Sequence, residues 1–210
     1  MLRAAILGLM VAGLAACAPM PRDGTGAPES RGFLSGLIPR GAPMRDTDAP
    51  LQRVRLARGA VVVSATNGYC IDPETLVNRG GRGFAMMASC RILSGGEDGP
   101  VVAPGLVTVT VGGPGTGAEL PQPETLAAIS EAPLVQRAGS EDLVLAQLGS
   151  GGQQVLEGGD ARYWRGAFSQ GGRLVILALY APAGSGLAGN LGAGLLTEVH
   201  DRIKAESPGA

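Results

Sequence analysis

The sequence is poor in the side chains that most enzymes and nucleic-acid-binding proteins use. Aromatic residues make up 3% of the chain, too few for a surface on which several bases stack. One histidine (His200) and one lysine (Lys204) leave few groups for metal binding or proton transfer. The net charge of -1 excludes a strongly basic surface over the whole protein. We therefore expect no metal, no cofactor and no nucleic-acid partner.

Small and apolar residues are abundant instead. Apolar residues make up 45% of 210 residues, enough for one packed domain and additional segments. The 35 glycines and 15 prolines bring the chain close to the level at which low complexity becomes common.

The first residues have the layout of a signal peptide. Arg3 precedes an uncharged apolar run from Ala4 to Ala16. As a helix this run is about 20 Å long, whereas a bilayer core is about 30 Å thick. The sequence predicts a cleaved signal peptide over residues 1–16.

The run ends in Leu14-Ala15-Ala16-Cys17, which resembles the lipobox of bacterial lipoproteins. The resemblance implies cleavage before Cys17 and acylation of that cysteine, with palmitate as a marker of the modification. Several acyl chains anchor a protein stably where one is marginal. Ala18 resembles the pattern that sorts lipoproteins to the outer membrane, so we expect its periplasmic face. The alternative is an ordinary secretory signal in which Cys17 is incidental.

Residues 17–50 are predicted to be a disordered tether that starts at the lipidated cysteine. Prolines and glycines interrupt every period of 2 or 3.6 residues there, so the segment cannot bury enough apolar area to offset its chain entropy. Phe33-Leu34 and Leu37-Ile38 stand out within residues 32–38. They are either a loose apolar patch or a short segment that docks on a partner.

A single folded domain is predicted over residues 51–205, followed by a disordered tail at 206–210. A Gly171-Gly172 turn predicts a hairpin between Ala161 and Ala181, with a central second strand. Further strands are expected at 52–57, 60–65, 84–93, 106–111 and 143–148, with 153–157 pairing with the last. Two short helices are expected over 124–138, separated at Pro133. A final helix has a stripe of Leu191, Leu195, Val199 and Ile203, with Leu196 beside it.

This element order predicts an α+β fold with a mainly antiparallel sheet and packed helices. Gly68-Tyr69-Cys70, Ala88-Ser89-Cys90, Tyr163-Trp164-Arg165 and the Gly-Gly hairpin are loosely similar to uncharacterised bacterial envelope proteins. That similarity implies no known activity. The order of elements is also similar to small α/β/α sandwiches of the Mog1/PsbP type.

Three cysteines in an exported chain divide into one lipid carrier and one pair. Cys70 and Cys90 are therefore predicted to form a disulfide in an oxidising compartment. A redox-active pair is the competing interpretation, but the Cys-x-x-Cys spacing is absent.

No motif in the chain predicts catalysis. Residues 184–189 match G-x-G-x-x-G, but the chain has no strand left to complete a dinucleotide fold, so we expect a flexible loop. His200 is expected to be a packed residue rather than a base. The carboxylate pairs, expected in turns, are Asp72 with Glu74, Glu97 with Asp98, and Glu141 with Asp142.

Tyr163, Trp164 and Arg165 are the candidate interaction residues, because Trp and Arg are common at binding hot spots. Trp164 and Phe168 should share one face of a strand, with Tyr163 and Arg165 on the other, and core packing is the competing interpretation. The first functional hypothesis is a non-enzymatic, lipid-anchored envelope domain that contacts another envelope protein. The second is a small hydrolase or ligand-binding domain with a cleft near the Cys70–Cys90 loop, where Asp72 or Glu74 supplies the acid group.

Overall fold

The computed structural model describes residues 49–96 and 98–209. The predicted signal peptide, Cys17, the segment 32–38 and Glu97 lie outside these residues. Within them, no helix combines the length and the apolar character needed to cross a bilayer.

An eight-stranded sheet is the centre of the fold, and all of its pairs are antiparallel. The strands are β3 (Tyr69–Ile71), β4 (Val77–Arg79), β5 (Arg82–Ser89), β6 (Leu106–Val111), β7 (Leu134–Gly139), β8 (Leu143–Leu148), β9 (Tyr163–Gln170) and β10 (Arg173–Tyr180). Their order is β3-β5-β6-β10-β9-β8-β7, and β4 pairs with β5. A separate hairpin consists of β1 (Arg53–Leu56) and β2 (Val61–Ser64).

In the described part of the chain, four α-helices accompany the sheet: α1 (Cys90–Leu93), α2 (Pro123–Ile129), α3 (Gly152–Val155) and α4 (Asn190–Glu206). One face of the sheet packs against α4 and the β1–β2 hairpin around a large core. Leu126 and Ala127 of α2, with Leu156 after α3, pack on part of the second face. The predicted α+β fold with a mainly antiparallel sheet is confirmed. The finer likeness to Mog1/PsbP sandwiches stays a prediction.

The clearest sequence patterns are confirmed. In β6 the valines point into the main core, where Val109 is fully buried, while Thr108 and Thr110 lie on the second face. Gly171 and Gly172 have φ of 55° and 68°, the left-handed geometry of a tight hairpin turn. β10 lies between β6 and β9 and is central, as predicted.

Three predictions of local structure are wrong. The strand expected over 84–93 ends at Ser89, and residues 90–93 form α1, because an apolar run alone does not separate strand from helix. Residues 134–139 form β7 rather than a second helix, since they pair with β8. Residues 153–157 do not pair with β8, because β7 and β9 already occupy both of its edges.

The C-terminal boundary also differs from the prediction. Leu191 is 68% exposed, and the buried stripe of α4 contains His200 next to Val199. The helix continues to Glu206, so the predicted disordered tail is wrong over the described residues. The Ser207 hydroxyl accepts a hydrogen bond from the Val62 amide (2.8 Å). Ser207, which follows the helix, is held in place because β2 supplies its hydrogen-bond partner.

Candidate functional site

Two of the three predicted interaction residues belong to the core. Trp164 is 0% exposed, and its indole donates to the Gly189 carbonyl (2.8 Å). Tyr163 is buried on the opposite face and stacks on Tyr180 with ring centroids 5.1 Å apart. A partner cannot reach either ring in this fold, so core packing replaces the predicted contact role. Arg165 lies half-buried on the same face as Tyr163.

The predicted disulfide is confirmed. Cys70 in β3 and Cys90 at the start of α1 are bonded, with a sequence separation of 20. The Gln52 side-chain amide donates to the Cys70 sulfur (2.9 Å), so the bridge also holds the segment that leads into β1.

The two carboxylates proposed as acid groups near this loop have a local structural role. Asp72 Oδ1 accepts a hydrogen bond from the Glu74 amide (2.9 Å) and starts a 3-10 turn at Pro73–Thr75. A cleft of about 250 Å³ does lie beside the loop, but its lining contains neither Asp72 nor Glu74. It is lined instead by Val77, Phe84, Arg79, Arg82, Thr110 and Thr116 among others.

His200 is enclosed between two carboxylates. It is 4% exposed, its Nδ1 lies 2.8 Å from Asp201 Oδ1, and its Nε2 lies 3.4 Å from Asp142 Oδ2. The Ser140 hydroxyl donates to Asp142 rather than to His200, and this hydrogen bond is the main reason that the pKa of Asp142 is lowered. No serine–histidine pair forms here. Across residues 49–96 and 98–209, no three His, Cys, Asp or Glu side chains group closely enough to hold a metal ion.

The G-x-G-x-x-G segment forms an ordered connection between β10 and α4. The Ser185 hydroxyl accepts a hydrogen bond from the Leu187 amide (3.2 Å) and starts a 3-10 turn at Gly186–Ala188. Leu187 and Ala188 are buried in the main core. Asp160 Oδ2 also accepts from the Gly184 amide at 3.4 Å. The segment is therefore a packed loop, not the flexible one that the sequence predicts.

The lowered pKa of Asp160 predicts that the stability of the fold depends on pH. Hydrogen bonds from the Arg162 side chain, then from the Arg162 amide, lower the pKa of Asp160 from 3.8 to about 2. A lowered folded-state pKa adds stability that is present above the unfolded pKa and is lost as the pH falls through the folded one. We expect the free energy of unfolding to drop less steeply between pH 3.8 and about 2 in Asp160→Asn than in the wild type. Urea unfolding over this pH range measures the difference, and parallel curves would contradict it.

A tight hairpin places two arginines beside the cleft. Arg79 and Arg82 are Cα partners across the β4–β5 turn, so their side chains lie on the same side of the sheet. Gly80 and Gly81 between them have φ of 59° and 70°, which defines a two-residue turn of type I′. Both arginines are exposed.

A strained segment brings two more arginines to the same edge. Ala57 and Arg58 have φ of 52° and 64°, and left-handed geometry costs about 1 kcal/mol for each non-glycine residue. Asn78, next to Arg79, holds this geometry: its Oδ1 accepts from the Ala57 amide (3.0 Å) and its Nδ2 donates to the Arg55 carbonyl (3.1 Å). Arg55 and Arg58 are exposed too, but Arg55 projects from the outer face of the β1–β2 hairpin, so we call only Arg79 and Arg82 the arginine corner.

A third arginine lies beneath the turn. Arg173 is 8% exposed and donates to the carbonyls of Gly81 and Gly112, while its buried Nε has no hydrogen-bond partner. Among the ion pairs of the described residues, none involves Arg173 or the arginine corner. The sequence analysis missed this site, although Arg-Gly-Gly-Arg at 79–82 is a hairpin signal.

The second face of the sheet is covered over only part of its width. In β5 and β10, Ala85 and Leu177 on the main-core face are 0% exposed. Phe84, Met86 and Ile176 on the other face are only half-buried, and Thr110 between them is exposed. We call these four residues the open half-face. It adjoins the arginine corner, because Phe84 pairs with Val77 next to the β4–β5 turn.

Comparisons of the chain with protein-family models, with curated proteins and with solved structures find no match. The site is therefore interpreted from its own geometry.

Proposed function

We propose that the chain is a bacterial lipoprotein anchored through acyl chains on Cys17. In this proposal its folded domain faces the periplasm from the outer membrane and has a non-enzymatic interaction role, with another envelope protein as its partner. The lipobox at 14–17 supports the anchor. The Cys70–Cys90 disulfide is the structural observation that supports an oxidising compartment such as the periplasm, since such bonds persist in oxidising environments.

The geometry supports binding rather than catalysis. The only histidine of the chain is enclosed between Asp142 and Asp201, where it cannot reach a substrate. Surface features that lack partners within the described residues include the arginine corner and the open half-face. Apolar residues beside free guanidinium groups are typical of contact surfaces.

The cleft supports a second candidate function, the binding of a small anion. Arg79 and Arg82 would supply two guanidinium groups and Thr110 one hydroxyl, whereas the Thr116 hydroxyl already donates to the Gly113 carbonyl. A hydrolase has less support, because Asp72 and Glu74 do not line this cleft.

A Cys17→Ser variant tests the anchor. We expect the wild type to incorporate labelled palmitate and to sediment with membranes, while the variant loses the label and becomes soluble, because the thiol that carries the acyl chain is gone. Cys90→Ser, with the same chemical change inside the domain, is the matched control and should keep the label. A variant that remains in the membrane fraction, or a wild type without label, would refute the lipoprotein proposal.

A further inference from the structure

We propose that the arginine corner docks on anionic phospholipid headgroups of the bilayer. The inference rests on the proposed function, which places a bilayer within reach of the domain. It adds a second contact between protein and membrane, made by the fold itself rather than by the acyl chains.

Unbalanced charge is the first argument. Several other arginines of the described surface have carboxylate partners: the pairs are Arg53–Glu206, Arg137–Glu124, Arg162–Asp160 and Arg202–Glu198. The arginine corner has none among the described residues. Residues 51–205 carry nearly equal numbers of basic and acidic side chains, so this corner is a local excess rather than part of a basic protein.

Arg173 strengthens this argument. A buried guanidinium without a carboxylate is costly, and a nearby anion reduces that cost. The Arg173 guanidinium lies against the carbonyl of Gly81, a residue that stands between Arg79 and Arg82 in the turn. The Nε of Arg173 has no hydrogen-bond partner. An anion seated on the turn would contact Arg79 and Arg82, and the buried charge of Arg173, behind the Gly81 carbonyl, would add to the attraction without contact. Guanidinium groups bind phosphate in a bidentate manner, which favours phosphate-bearing partners.

The surroundings of the corner fit the interface of a bilayer. Val77, which pairs with Phe84 across β4 and β5, is 49% exposed. Apolar side chains next to basic ones are what an interfacial surface presents to headgroups and the first acyl carbons.

The position of the corner along the chain is the last argument. The chain enters the fold at Leu51, which pairs with Ile71 at the edge of the sheet, and β1 carries it to Arg55, whose carbonyl accepts from Asn78 next to Arg79. Four residues of strand span about 13 Å. Residues 18–48 separate this entry point from Cys17, and 31 residues can span at most about 100 Å. The anchored bilayer is therefore within reach of the corner.

Vesicle co-sedimentation tests the proposal with a chain that begins at residue 18. This chain lacks Cys17 but keeps both hydrophobic clusters of the domain. We expect it to bind vesicles of equimolar phosphatidylcholine and phosphatidylglycerol, to ignore vesicles of phosphatidylcholine alone, and to be released by salt. Arg79→Gln with Arg82→Gln should weaken binding about 25-fold, from about fivefold for each arginine. Arg137→Gln with Arg162→Gln removes the same charge from paired arginines and should change binding less than about twofold.

Replacing both arginines with lysine distinguishes an effect of charge from an effect on folding. Arg79→Lys with Arg82→Lys keeps the charge and should retain most of the vesicle binding. A folding defect caused by replacing these arginines would instead remove binding in the lysine variant as well as in the glutamine variant. Absence of binding to phosphatidylglycerol vesicles, or equal losses in the test and control pairs, would overturn the proposal. Binding to soluble polyglutamate through Arg79 and Arg82 without vesicle binding would overturn it too, and would indicate an acidic protein segment. None of these results bears on Cys17, so the lipoprotein proposal is tested separately.

Discussion

Replacing Cys90 with alanine is expected to lower the free energy of unfolding by about 3 kcal/mol. The bond closes a loop with a sequence separation of 20, and that loop contains the Gly80-Gly81 turn and Gly83, three glycines that gain much freedom on unfolding. Without the bond the unfolded chain gains this entropy, while the strand pairs of the folded state stay in place. Urea unfolding of the variant and of the wild type, with and without a reducing agent, measures the difference.

Two controls make the result specific to the bond. The wild type under reducing conditions should unfold like Cys90→Ala, and the reducing agent should have no further effect on the variant. Cys70→Ala with Cys90→Ala should match the single variant, since both lack the same bond. A Cys90→Ala curve that overlays the oxidised wild type would show that the bond contributes nothing to stability.

Gly192→Ala should destabilise the domain by about 3 kcal/mol, because it overfills a tight contact. Gly192 faces the sheet at the start of α4, and an added Cβ would lie 2.0 Å from the Leu187 carbonyl oxygen and 2.6 Å from Cδ1 of Trp164. Trp164 is fully buried and cannot move aside without disturbing the main core. Thermal and urea unfolding should both show the loss.

Gly194→Ala is the matched control in the same helix. A Cβ at this position meets nothing within 4 Å, so alanine replaces glycine without a clash. Alanine also favours helix, and we expect a gain of about 0.5–1 kcal/mol. If both variants lost stability equally, the close approach of α4 to Trp164 would not be the cause.

The sequence predicts those parts of the fold that depend on neighbouring residues. Alternation identifies β6, and the Gly171-Gly172 turn identifies the β9–β10 hairpin. Pairing between distant segments decides the rest. Residues 134–139 are a strand only because β8 has a free edge there, and that edge is not visible in their own sequence.

The candidate site depends even more on distant contacts. Asn78 joins the backbone of Arg55 to that of Ala57, and this clamp brings β1 beside β4. Left-handed geometry at Ala57 has no sequence signature, because the residues that adopt it readily are glycine and asparagine. Trp164 illustrates the opposite case, in which composition suggests a binding residue and the fold buries it.

The strand order has a consequence for the maturation of the chain. β6 pairs with β5 and with β10, so its second edge stays unpaired until β10 has left the ribosome. The β3–β5 pair, which brings Cys70 close to Cys90, is complete much earlier, and formation of the disulfide can precede closure of the sheet. During that interval the valines of β6 are exposed to solvent. We therefore expect a chaperone that binds unfolded chains to stay bound longest to this segment.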